Sequence, residues 1–226
     1  MTASPYDDPI YKAAIIDLLS AIGYGEISAF ERMTEDAKMA PTLEDKVALL
    51  GVASAQFAKI EPVRQRLVAL GVDPFAAMGE FKDGIDEFHD RTAPDDWWES
   101  LIKAYVGEGL TEDFYREIAG FLDEETRTLV VSTLEDQGQA DFALAAANKG
   151  IAADPILAGR LALWGRRLMG EALIATQRVS ASRDSLTGIL SGESTFAGLD
   201  FAGLSAMFER ITARHVERMS RLGLEH

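Results

Sequence analysis

A chain of 226 residues, 47% hydrophobic and 26% charged, is long enough for one large globular domain with its own core. The absence of cysteine excludes disulfides, thiolate metal sites and thiol catalysis. A net charge of −15 argues against general nucleic-acid binding, which needs a cationic surface to displace counterions.

In chain order, Asp8-Pro9 opens a first helix running to about Met39, with an acidic cap and Pro in the first helical position. Pro41-Thr42 starts a second, with Asp45 in capping-box position, and Gly71 ends it. Pro62 should kink that helix by removing a hydrogen bond to Ala58. A short helix follows Asp73-Pro74 and dissolves near Pro94. A third long helix spans Asp95 to Leu122. Asp123 caps a fourth that fades near Gly150, Asp154-Pro155 starts a fifth ending around Gly192, and Asp200 caps a sixth reaching Gly223. No segment alternates with a period of two between turn signals, so an all-α fold is expected.

Tight turns at Ala40-Pro41 and Leu122-Asp123 make helices one and two, and three and four, antiparallel hairpins. The long connection between them can cross the bundle, which is the ferritin-like arrangement of four helices. The expected organisation is one domain over 1–226. Residues 1–150 form the four-helix core with its crossover, 151–223 form two additional packed helices, and 224–226 resemble the start of an expression tag. No apolar run approaches the roughly 18 residues of a membrane span, and MTASPYDDP lacks a signal-peptide pattern. A cytoplasmic protein with no membrane partner is the expectation.

Each bundle helix carries polar residues on its apolar stripe. Helix one reads Ile15, Leu19, Ile22, Glu26, Ala29, Met33, and helix two reads Leu49, Ala53, Gln56, Ile60, Val63, Leu67, with Lys59 one turn from Gln56. Helix three gives Leu101, Tyr105, Glu108, Tyr115, Leu122, and helix four gives Leu129, Ser132, Asp136, Gln139, Ala143. Glu26 and Gln56 are each fifteen residues from Pro41, and Glu108 and Asp136 each fourteen from Leu122. All four therefore lie roughly 21–23 Å from their turns and meet in one layer if the hairpins pack in register. Three buried carboxylates need a cation, either a metal or the ammonium of Lys59.

The segments Gly23–Arg32, Phe88–Phe121 (FHDRTAPDDWWESLIKAYVGEGLTEDFYREIAGF) and Gly159–Arg167 resemble the actinobacterial ferritin-like proteins grouped with the tRNA-modifying hydroxylase MiaE. Di-iron members of this superfamily take one Glu from each of two helices and a Glu-x-x-His from each of the other two. The resemblance puts Glu26 and Glu108 at the single carboxylates. Gln56 and Lys59 stand where the first Glu-x-x-His belongs, and Asp136 and Gln139 where the second belongs. Neither histidine is present, a glutamine amide is a weak iron ligand and a protonated lysine offers no lone pair. The implied reading is a degenerate di-iron site without metal or cofactor, in a binding or structural protein. The alternative is a working di-iron hydroxylase, with tRNA as a substrate by analogy and a homodimer as the superfamily's usual assembly.

Three other features stand apart from this cluster. Asp86-Glu87-Phe88-His89 matches a carboxylate-x-x-histidine pattern, but on the crossover, and His89 reads as a structural residue anchoring the turn at Pro94. His215 falls on the stripe Leu204, Phe208, Ile211, His215, Met219 as a core histidine. Glu171 interrupts the stripe of helix five with Arg167 one turn before it, as an ion pair or as an accessory to the central pocket. Residues 155–226 hold 9 Lys/Arg against 7 Asp/Glu, while residues 1–154 hold 13 against 30. Arginines solvated on helix faces are expected there, with a basic patch for an acidic partner as the alternative.

Overall fold

Capping carboxylates and prolines set the helix starts. In the computed structural model, which describes residues 4–134, 138–183, 185 and 201–226, α1 spans Pro9–Asp36 and begins with the Asp8 carboxylate accepting from the amides of Ile10 and Tyr11. Thr42 caps α2, Leu43–Ala58. Pro62 cannot donate to Ala58, and the chain turns at Lys59 before α3, Ile60–Ala69, so the second helix is broken rather than bent. The crossover holds two short helices instead of one, α4 (Pro74–Gly79) and α5 (Lys82–Arg91), with Phe81 buried at the break.

The third helix is α6 (Trp97–Ile102), a π-helical turn over Lys103–Gly107, and α7 (Glu108–Ala119). The fourth is also divided, into α8 (Glu124–Thr133) and α9 (Gln139–Ala153). Gly138 precedes α9 at φ 91°, a left-handed conformation that glycine adopts without strain. Burial on α8 falls on Thr126, Val130 and Thr133 rather than on Leu129 and Ser132, so its inward face is rotated from the expected stripe. α10 covers Pro155–Ser182 and α11 Phe201–Arg221. The expected end of the fifth helix at Gly192 and the expected cap Asp200 lie outside the described residues. There is no strand among the described residues.

α1 packs on α2 and α3, α7 on α8, and α9 on α6 and α2, closing the two hairpins into a bundle. A hydrogen-bond network keeps those hairpins level. The Tyr11 hydroxyl donates to Asp123 Oδ2 at 2.8 Å and accepts from the Asp123 amide at 2.7 Å, and Tyr6 donates to the same carboxylate at 2.9 Å. Arg66 on α3 donates to Tyr6 at 2.7 Å and pairs with Glu125 at 2.7 Å. The start of α1 and the end of α3 are thus tied to the second turn.

α1 is long and apolar enough to cross a membrane by length and composition, contrary to the expectation for the chain. Of its most apolar stretch, 56% is buried inside the bundle.

α10 lies on α5, α6, the π turn and α9, and α11 lies on α7. The α7–α11 contact is ionic at its centre. Asp113 is fully buried and is held by Arg218, with Arg116 at 3.1 Å and Arg214 at 3.7 Å. Arg218 also donates to the Gly109 carbonyl at 2.7 Å, and a side chain at Gly109 would collide with its guanidinium. Arg210 and Arg214 pair with Glu117 at 2.6 and 2.9 Å, and Arg160 pairs with Asp96 and Glu99 at 2.5 and 2.9 Å. These C-terminal arginines meet carboxylates of their own chain. Arg218→Met removes the nearest partner of the buried Asp113 and leaves it Arg116 and Arg214, so it should destabilise the protein by about 2 kcal/mol in chemical denaturation. Gly109→Ala should destabilise it by displacing the same arginine, and an effect of both below about 0.5 kcal/mol would contradict this role.

Candidate functional site

The apolar core falls into two clusters. One holds Ile15, Leu19 and Ile22 with Val63, Leu67 and Val130, and the other holds Ala29 and Met33 with Ala53, Leu101 and Val106. On α1 the residue between them is Glu26, and on the second helix Gln56 and Lys59 stand between Ala53 and Val63. The expected polar layer is therefore where the two clusters divide.

Within that layer Glu26 is 9% exposed and Gln56 5%. The Gln56 amide donates to Glu26 Oε2. Burial raises the Glu26 carboxyl to about 8, opposed by the charge of Lys59 and reinforced by Glu108 and Glu112. Glu108 is raised to about 7, first by burial and then by Glu112, with Lys59 and Lys103 acting in the opposite direction. Tyr115, two turns beyond Glu108, is also raised by burial and by both carboxylates. Glu26, Gln56, Lys59 and Glu108 are thus close enough to act on one another, as the matched depths require. Asp136 lies outside the described residues, as does the side chain of Gln139.

Beside this layer is a cavity of about 220 Å³ between α1, α5, α7, α10 and α11. Its wall is mainly apolar, with Leu18, Ile22, Phe81, Phe114, Phe208 and Ile211, and Glu26, Gln56 and Glu108 reach it as polar members. Thr111 and Thr176 also line it, but their hydroxyls donate to the carbonyls of Gly107 and Ala172 on their own helices, at 3.2 and 2.9 Å. The cavity meets a second cleft, of about 350 Å³, at Phe81, Gly84, Phe88 and Ala175, which line both.

Two further polar residues of the cavity escape a reading of the stripes. Lys103 is 7% exposed, and burial lowers its ammonium to about 8 despite the nearby charge of Asp36. His89 faces the cavity rather than anchoring the turn at Pro94. Its Nδ1 is buried without a partner, and burial, Lys103 and Arg32 lower its imidazole to about 3. The turn is held by Thr92 instead, fully buried, whose hydroxyl donates to the Phe88 carbonyl at 2.7 Å. A lysine inside the run Leu101-Ile102-Lys103-Ala104-Tyr105-Val106 was the available signal. In an α-helix it would point away from Glu108, whereas a π turn with its i→i+5 bonding carries residues five apart toward one side.

Arg167 and Glu171 do not pair. Arg167 donates to the Arg91 carbonyl at 2.5 Å and lies over the Trp164 ring, while Glu171 lines the second cleft. His215 is buried at 4% exposure, as expected of a core histidine.

The fold therefore defines a class: an all-α bundle with buried carboxylates in its central layer and an apolar cavity beside them. The family described as "Ferritin-like domain, actinomycetes" matches residues 9–193, and the chain belongs to it. No curated protein matches the chain. For a metal in this layer the described residues are a poor donor set. Gln56 turns its N–H toward Glu26, Lys59 supplies positive charge rather than a lone pair, and no three His, Asp or Glu side chains among the described residues group around one point.

The raised carboxyl of Glu26 has a direct consequence for stability. An acid whose pKa is raised on folding, here from 4.5 to about 8, contributes stability that is fully present below pH 4.5 and lost as pH rises through 8. Glu26→Gln should remove that loss. Relative to the unaltered protein its unfolding free energy should gain about 4 kcal/mol between pH 5 and 8.5. Parallel pH profiles for the two proteins would show that Glu26 ionises normally.

Proposed function

We propose that this is a ferritin-like protein of the MiaE-like group whose central site has lost its metal-binding set, and that it acts as a binding protein for a small, mainly apolar molecule. The observation that carries this is the cavity of about 220 Å³ between α1, α5, α7, α10 and α11, apolar along most of its wall. Ligand sites generally combine such a wall with a few placed polar groups, and Glu26, Gln56 and Glu108 are placed that way here. Lys59 then serves as the internal cation of the layer, in the position where the family resemblance expects a histidine.

The competing reading is a di-iron hydroxylase. It is favoured by one observation, that Glu26 and Glu108 remain close in the layer with a π-helical turn leading into Glu108, since such turns often mark functional sites. A tRNA-directed form of that activity would need a cationic face, and the arginines of α11 at Arg210, Arg214 and Arg218 are paired with Glu117 and Asp113.

Metal analysis separates these readings. Protein purified from iron-fed cells should contain far less than one iron per chain, and the combined change Gln56→Glu, Lys59→His and Gln139→His should raise that content. Near-stoichiometric iron in the unaltered protein would overturn the binding-protein reading.

A further inference from the structure

Lys103 is the least satisfied charge on the cavity wall. It is 7% exposed, yet among the described residues its ammonium makes a single hydrogen bond, to the His89 carbonyl at 3.5 Å, the long limit for such a contact. An ammonium has three donors. Asp36 and Arg32 on α1, Glu108 on α7 and Asp90 on α5 act on it through space, but among the described residues it forms no ion pair with a carboxylate. The Phe88 ring is centred 5.9 Å from the nitrogen. Next to it the buried Nδ1 of His89 has no partner either. Both residues line the cavity.

The position is distinct from that of Glu26. The charges acting on Glu26 are those of Lys59, Glu108 and Glu112, whereas those acting on Lys103 are Asp36, Arg32, Glu108 and Asp90. Arg32 and Asp36 lie six and ten residues beyond Glu26 on α1, about 9 and 15 Å along the helix. Glu108 acts on both, but Glu26 is already engaged by Gln56, whereas the cationic end of the cavity is the Lys103 ammonium beside the neutral imidazole of His89. The cationic end adjoins Phe88, one of the four residues at which the cavity meets the outer cleft. A molecule entering there with its apolar part first would leave its head group beside Lys103.

We infer that the cavity takes a monocarboxylate with an apolar body, the carboxylate seated on the Lys103 ammonium beside His89 and the body against Ile22, Phe81, Phe114 and Phe208. This rests on the binding-protein reading above and gives it a ligand class. A buried ammonium lacking partners is costly, and a carboxylate supplies charge-assisted acceptors for its free N–H groups. An alcohol would supply a weaker acceptor, and an amine would add a second positive charge at the same end.

Calorimetric titration of the full chain with decanoate, decan-1-ol and decylamine tests the inference. Decanoate should bind once per chain and more tightly than either of the others. Lys103→Met should weaken decanoate by roughly tenfold or more and decan-1-ol by much less, and the retained decan-1-ol binding also shows that the variant is folded. Tighter binding of decan-1-ol or decylamine than of decanoate by the unaltered protein would overturn the carboxylate assignment and leave the binding-protein reading intact. Failure of all three to bind would overturn both. The ranking in the unaltered protein decides the matter even if the variant does not fold.

Discussion

A carboxylate buried in a helical bundle must be neutralised, hydrogen-bonded or protonated, and this constraint organises the centre of the protein. Glu26 meets it through all three routes: the Gln56 amide donates to it, Lys59 acts on it with positive charge, and burial raises its carboxyl to about 8. Glu108, raised to about 7, shares the same surroundings. The apolar core divides into two clusters at this level because neither cluster can extend through a layer that has to stay polar. The cavity lies beside that division.

The bundle helices lose regularity at the same depth. The second helix turns at Lys59, the third passes through a π turn at Lys103–Gly107, and in the fourth α8 ends at Thr133 and α9 begins after Gly138. Counted from their hairpin turns at Pro41 and Leu122, Lys59, Gly107 and Gly138 are eighteen, fifteen and sixteen residues away, which places them within about one helical turn of one another. Only α1 runs through without a break. Their alignment depends on the hairpins being level, and that is what Tyr6, Tyr11 and Asp123 secure at the end of the bundle. The ion pairs of Asp113 and Glu117 then hold α11 against α7, where Phe208 and Ile211 complete the cavity wall.

Much of the frame was legible from the sequence because its signals are local. Asp8-Pro9, Thr42, Asp73-Pro74 and Asp123 each sit at a helix start, since capping is decided within one turn of chain. The partnership of Glu26 with Gln56 followed from equal spacing to Pro41, which needs only a regular rise. Irregular segments defeated that reasoning. The π turn brings Lys103 to the cavity in a way that a period of 3.6 cannot show, and α8 and α9 are two helices where the stripe reads as one. The pairing of Arg167 with Glu171 failed for a different reason. Spacing alone allows it, but the Arg91 carbonyl and the Trp164 ring, both distant in sequence, compete for the guanidinium. The cavity itself is made by six helices and the π turn, and has no signature in any one of them.

The central claim is that the polar layer of the bundle lifts Glu26 and Glu108 above the ordinary carboxylate range. Carbon-13 carboxyl NMR titration of the glutamates, with Glu26→Gln and Glu108→Gln for assignment, tests it most directly. Two resonances should titrate well above the rest, one near 8 and lost in the first variant, the other near 7 and lost in the second. If every glutamate titrates in the ordinary carboxylate range near 4.3, the layer is hydrated and the account is wrong.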